Sequence, residues 1–138
     1  MGERGLRWMF RAAAVYNLCW GAVMILRPNL IFNLFGLPPL NYPFVMSGLG
    51  LGVGLFGYGY WMVAQDLHRN LHVAVIGFLG KTLGPIGWLW TVLNTGLPLR
   101  TMWTNVFNDL IWIPFFIAYF VWYRRSATSE TALGRSRG

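Results

Sequence analysis

The chain has 138 residues and a formal net charge of +7, yet 56% of its residues are hydrophobic and only 11% are charged. A soluble domain carries roughly a quarter charged residues to cover its surface, so this composition excludes a water-exposed globule and makes lipid the solvent. It also excludes a nucleic-acid binder, because Arg4, Arg7, Arg11, Arg124, Arg125, Arg135 and Arg137 sit at the two ends, flanking apolar runs. That distribution suits orientation signals and headgroup contacts, not a basic face interleaved with aromatics.

The first apolar run predicts a span over about Trp8–Leu26. The basic start resembles a signal peptide. The run is long, however, contains Asn17, and lacks a small-x-small cleavage site before Arg27-Pro28, so it is read as a retained helix. The lone Cys19 lies within it and sets no redox compartment. In Pro28–Phe35, Leu30, Ile31, Leu34 and Phe35 recur at helical spacing. This predicts a short interfacial helix, with an apolar loop packed on the bundle as the alternative. Gly36-Leu37-Pro38-Pro39 stops it.

A second span is predicted over about Pro43–Ala64, with Pro43 suited to a first helical turn. It contains Gly48, Gly50, Gly52, Gly54, Gly57 and Gly59. The pairs Gly48/Gly52 and Gly50/Gly54 point to different faces, and small residues let helices approach closely where water does not drive them together. One face is expected to pack within the subunit; the other forms an intrasubunit contact too, a homo-oligomer, or a cavity wall. Gly57-Tyr58-Gly59-Tyr60 is no potassium filter, since it lies inside a helix without the preceding residues such a loop needs.

The third span, about Leu71–Leu93, places Lys81 near its middle, with Asn70 suited to its N-cap. The fourth runs over about Met102–Tyr123 and carries Asn108 and Asp109 a third of the way in. Each span is near the ~20 residues a bilayer core requires. Gly96-Leu97-Pro98 echoes Gly36-Leu37-Pro38, which would follow from two hairpins of like orientation, although one tripeptide is thin support for duplication. With the N-terminus inside, eight Arg lie on the inner segments against Arg27 and Arg100 outside, so both termini are expected in the cytoplasm. Ser126–Gly138 reads as a disordered tail beyond a transmembrane domain of residues 1–125.

Asn17, Lys81, Asn108 and Asp109 therefore form an expected polar layer at membrane depth, on three spans. Ionisable groups there need a partner, water or a function. Gly77, Gly84 and Trp88 share the Lys81 face, which predicts that the ammonium points inward. Pro85 frees the carbonyl of Lys81, and Pro114 that of Leu110. For ideal helices meeting near Pro98, Lys81 and Asp109 are offset by on the order of 9 Å along the axis, which favours a water-bridged pair over a direct one. Two readings of the layer stand: structural glue between helices, or a ligand or proton site. Trp20, Tyr58, Trp88 and Trp112 are candidate pocket walls beside it.

No histidine lies within a span's core, and His68 and His72 at a turn lack a firm third ligand, so neither metal nor cofactor is predicted. No phosphate cradle, catalytic triad or cysteine pair is present.

The strings Tyr16-Asn17-Leu18-Cys19-Trp20-Gly21, Asn41-Tyr42-Pro43, Gly57-Tyr58-Gly59-Tyr60, Gly80-Lys81 with Gly84-Pro85-Ile86-Gly87, and Asn108-Asp109-Leu110-Ile111-Trp112-Ile113-Pro114-Phe115 together resemble small bacterial four-span membrane proteins, broadly DoxX-like. The resemblance covers about Tyr16–Tyr123, implies an inner-membrane bundle, and defines no reaction. Some relatives carry a peroxide-reductase label, which needs an activated thiol that Cys19 does not provide. The predicted fold is an all-α four-helix membrane bundle. Its expected function is non-enzymatic binding of a hydrophobic small molecule or a partner subunit. The alternatives are a proton-coupled or ion transporter using Lys81 and Asp109, and an intramembrane lipid or quinone enzyme with Asp109 as base and Lys81 as stabiliser.

Overall fold

The computed structural model describes the backbone of residues 1–135 and the side chains of residues 1–128. Every element in it is helical: α1 (Glu3–Leu26), α2 (Leu30–Leu34), α3 (Pro43–Gln65), α4 (Leu71–Thr95), a 3-10 turn (Leu99–Met102), α5 (Trp103–Asn108), a second 3-10 turn (Leu110–Trp112) and α6 (Ile113–Arg135). Three stretches are long and apolar enough to cross a membrane: Glu3–Leu26, Leu71–Thr95 and Leu99–Thr128. α3 spans 23 residues without a charge but is not among these three.

The surface is inverted relative to a soluble protein. Leu55, Leu83 and Ile86 are each about 60% exposed, whereas Asn17, Lys81 and Asp109 are among the buried residues. Polar atoms have been taken out of contact with the surroundings and apolar ones left facing them, as a lipid solvent requires.

Glycine sets the spacing of α1 and α3. A Cβ on Gly21 would stand 2.5 Å from the Gly50 carbonyl oxygen, and one on Gly57 would stand 2.9 Å from that of Ala14. Side chains at these positions would push the backbones apart. Gly48 and Gly52 have open space above them, whereas Gly50 is covered by α1; a Cβ on Gly54 would also be free, although its backbone lies against Gly21.

Arg7 ties the same helices at their other end. It bonds Glu3 at 2.8 Å and donates through Nη1 to the carbonyl of Ala64 at 2.8 Å and to that of Gln65. Those are orphan carbonyls at the end of α3, where a cation also meets the favourable end of the helix dipole. The next turn is held by Asp66, whose Oδ1 accepts from the backbone N–H groups of Arg69 (2.9 Å) and His68 (3.0 Å). The Arg69 N–H bond, followed by that of His68 and by the Arg69 charge, holds the Asp66 carboxyl below its ordinary range. Asn70 does not cap α4 through its side chain; its Nδ2 donates back to the Met62 carbonyl at 2.8 Å.

The densest packing lies at this end, where Phe10 meets Tyr119 edge-on at 5.0 Å and Phe116 at 5.6 Å, and Tyr119 donates to the Leu67 carbonyl at 2.7 Å. At the far end Gly36 (φ 63°) and Gly96 (φ 71°) both take the left-handed conformation that ends a helix. The repeated Gly-Leu-Pro is thus accounted for by shared turn chemistry: a left-handed glycine to stop the helix and a proline to keep it stopped.

The fourth predicted span is not one helix. It breaks at Asp109 (φ −123°, ψ −57°), and α6 restarts with Pro114 in its first turn, where the missing N–H has no bond to lose. α6 then runs on through residue 135. Backbone 126–135, expected as disordered tail, is helical, and residues 136–138 of that tail lie outside the described residues.

Candidate functional site at the Lys81 layer

Lys81 reaches Asp109 directly. Its Nζ lies 3.0 Å from Asp109 Oδ1, 2.6 Å from the carbonyl oxygen of Asn108 and 3.4 Å from Asn17 Oδ1. All three ammonium protons have an acceptor, so the charge is neutralised and its hydrogen bonding is complete. The predicted 9 Å offset assumed two regular helices, and the fourth segment is not regular. Its opening 3-10 turn, Leu99–Met102, rises about 2 Å per residue instead of 1.5 Å and recovers about 2 Å of that offset; the long lysine side chain spans the remainder.

The helix break also supplies the shortest bond. In an unbroken helix the Asn108 carbonyl would accept from the Trp112 N–H. Here Trp112 N–H bonds the Asp109 carbonyl at 3.0 Å, in 3-10 fashion, and leaves the Asn108 oxygen to the ammonium. The acceptor that meets the ammonium is therefore the Asn108 carbonyl, a freed group in addition to the Lys81 and Leu110 carbonyls that the prolines leave without their usual donors.

Each remaining partner is oriented by its own helix. Asn17 Nδ2 donates to the Ala13 carbonyl one turn back, at 2.8 Å, which turns its oxygen toward Lys81. Asn108 Nδ2 donates to Asp109 Oδ1 at 2.9 Å, and its own Oδ1 is buried without a donor. Gly84 lies against Asp109: a Cβ there would be 3.6 Å from Oδ2. The four residues Asn17, Lys81, Asn108 and Asp109 are thus brought together as one cluster.

Two cavities meet at this cluster. The first, of about 140 Å³, is bounded by Val53, Phe56 and Tyr60 of α3 and by Gly77 and Gly80 of α4. Gly77 is required there, since a Cβ would collide with the Tyr60 ring. The second, of about 160 Å³, lies toward the Pro98 end, between Trp20, Met24, Phe32, Leu49 and Trp88. Asn108 and Asp109 line both. Together the two spaces reach the low end of the ~300–1,000 Å³ typical of ligand pockets.

Of the four predicted pocket aromatics, Trp20 and Trp88 face the second cavity, and Trp88 Nε1 donates to Thr101 Oγ1 at 3.0 Å. Tyr58 projects outward at 61% exposure and stands apart from the layer. Glycine on either side of it gives α3 no side chain to turn it inward. Trp112 is buried in the core against Tyr16 (5.6 Å) and lines neither cavity. Sequence reasoning passed over Asn105, which is buried and lines the second cavity. Its position four residues before Asp109 was the available signal, since residues so spaced share a helix face.

No nucleophile accompanies the ion pair within the cluster: Cys19 is exposed on α1. Among the described residues no group of three metal-ligating side chains occurs. His68 packs against Trp122 at 4.9 Å. Chemically the cluster offers a fixed neutral pair with spare oxygen acceptors facing two partly open cavities. Comparison with family models, curated proteins and solved structures finds no match to this chain.

Proposed function

We propose that this chain is a four-span protein of a bacterial inner membrane, with both termini in the cytoplasm, that holds a small hydrophobic molecule beside the Lys81–Asp109 pair without transforming it. α3 supplies the fourth span: 23 uncharged residues at ~1.5 Å each cover ~34 Å, enough for a bilayer core. The eight-to-two distribution of arginine supports the orientation. This architecture is the part of the DoxX-like resemblance that the reading keeps.

One observation carries the binding role: Asn108 and Asp109, the partners of Lys81, form a common wall of two apolar cavities, and Lys81 itself borders the first. Structural glue would be buried in contact with side chains on all sides. Here the polar cluster borders space, which suits recognition of a polar head by the cluster and of an apolar body by the walls.

A second reading, a proton-coupled or ion transporter, draws on the same arrangement. The cavities approach Asn108 and Asp109 from opposite ends of the bundle, so a rearrangement of the pair would join them. Native mass spectrometry of protein released from nanodiscs separates the outcomes. Binding predicts a co-purified mass that Lys81→Met removes. Transport predicts no such mass and a flux in proteoliposomes that Lys81→Met and Asp109→Asn abolish.

A further inference from the structure

We propose that the space beneath α2 is a chamber for the ring-sized end of a neutral, hydroxyl-bearing molecule, with α2 as its lid and Arg100 as the latch. This rests on the binding role above and names its ligand class and entrance.

The chamber is the cavity of about 160 Å³. Its apolar wall is aromatic and methionine-rich, a surface that accepts flat apolar groups of varied outline. Its polar wall consists of Thr104, Asn105, Asn108 and Asp109. Asn105 is 6% exposed, and the one side-chain bond it makes is a 3.4 Å contact from Nδ2 to Thr104 Oγ1. Among the described residues none donates to Asn105 Oδ1, Asn108 Oδ1 or Asp109 Oδ2, and of the three Asn108 Oδ1 is the fully buried orphan.

Three oxygens with spare acceptor capacity and no cation select the head. Lys81 does not line this chamber, and its protons are already taken. A carboxylate or phosphate would face Asp109 without compensation and is disfavoured. An ether or ester offers no proton. A hydroxyl donates one, and relieving a buried orphan acceptor is the kind of contact that discriminates strongly.

The lid is read from α2. Its five residues include none that is buried, yet Ile31 and Phe32 line the chamber. A second small cavity of about 70 Å³ also lies under it, so the segment rests on loosely filled space. It is joined to its neighbours by Pro28 on one side and by Gly36 (φ 63°) on the other. Arg100 holds it down, donating from Nη2 to the Phe35 carbonyl at 2.9 Å.

The test uses the full chain in nanodiscs with three ring-sized probes, followed by fluorine NMR. 4-Fluorophenol is expected to bind saturably and about tenfold more tightly than 4-fluoroanisole, with no saturable binding of 4-fluorobenzoate. Asn105→Leu should reduce the phenol-to-anisole ratio to within twofold. Met24→Trp and Met46→Trp fill the chamber from different helices, and either folded variant should remove phenol binding. Arg100→Ala should speed probe exchange severalfold. Equal binding of the anisole, competition by the benzoate, or phenol binding that survives both tryptophan variants would overturn the chamber. A co-purified mass lost in Lys81→Met, with no saturable phenol binding, would overturn the chamber alone; absence of both removes the binding role as well.

Discussion

The shortest bond of Lys81 is to a main-chain atom: its Nζ lies 2.6 Å from the carbonyl oxygen of Asn108, closer than the 3.0 Å to the Asp109 carboxylate. An acceptor that belongs to the backbone survives any substitution at position 109. The pair should therefore behave unequally under mutation.

Removing either charge alone strands the other. Lys81→Met and Asp109→Leu should each lower stability by about 3–5 kcal/mol, the usual cost of leaving a buried charge unpaired. The double variant should recover most of that loss. Asp109→Leu is expected to be the milder single change, because the ammonium keeps Asn108 and Asn17. Reversible unfolding in mixed micelles, read as a double-mutant cycle, measures the coupling.

Gly21→Ala should separate α1 from α3, because the added methyl meets the Gly50 carbonyl at 2.5 Å and backbone cannot move aside cheaply. A loss of about 1–3 kcal/mol is expected. Gly52→Ala, with nothing within 4 Å, should stay within about 0.5 kcal/mol of wild type. Equal effects in thermal unfolding would refute the assignment of faces.

Arg7 should matter as a cap rather than as an orientation charge. Arg7→Ala is expected to cost about 1–2 kcal/mol through the released carbonyls of Ala64 and Gln65. Glu3→Ala should change little, since its half of the ion pair is solvent-exposed. Arg7→Lys keeps the charge but not the fork, and should restore only part of the loss.

Asp66 gives the turn between α3 and α4 a pH dependence. Its carboxyl is depressed by the Arg69 and His68 N–H groups, so the folded form binds its proton less readily than the unfolded chain. The stabilisation is complete above the unfolded value of about 3.9 and is lost as pH falls through the lower folded value. Protection of the Arg69 amide from hydrogen exchange, taken relative to its intrinsic rate at each pH, should fall in that acid window, and Asp66→Asn should flatten the response.

The sequence carried the helical content, the short helix after Arg27 and the polar layer, because apolar run length and misplaced charges are strong local signals. It did not carry the break at Asp109. Pro114 marked a freed carbonyl, but which oxygen turned toward Lys81 depended on a 3-10 turn that no residue pattern announces. Tyr58 and Trp112 were misjudged for a related reason: an aromatic side chain's direction follows from its helix's rotation, which neighbouring glycines leave unspecified. Asn105 was overlooked because a carboxamide near a span's end is ordinary until a cavity is found in front of it.

The aromatic cluster around Phe10, Tyr60, Phe116 and Tyr119 occupies one end of the bundle, and the chamber under α2 lies toward the other. Stiffness is thus graded along the long axis, as in tweezers soldered at the base. Spontaneous motion should splay the tips while the base stays shut. A guest would then enter and leave beneath α2 while the aromatic base stays packed.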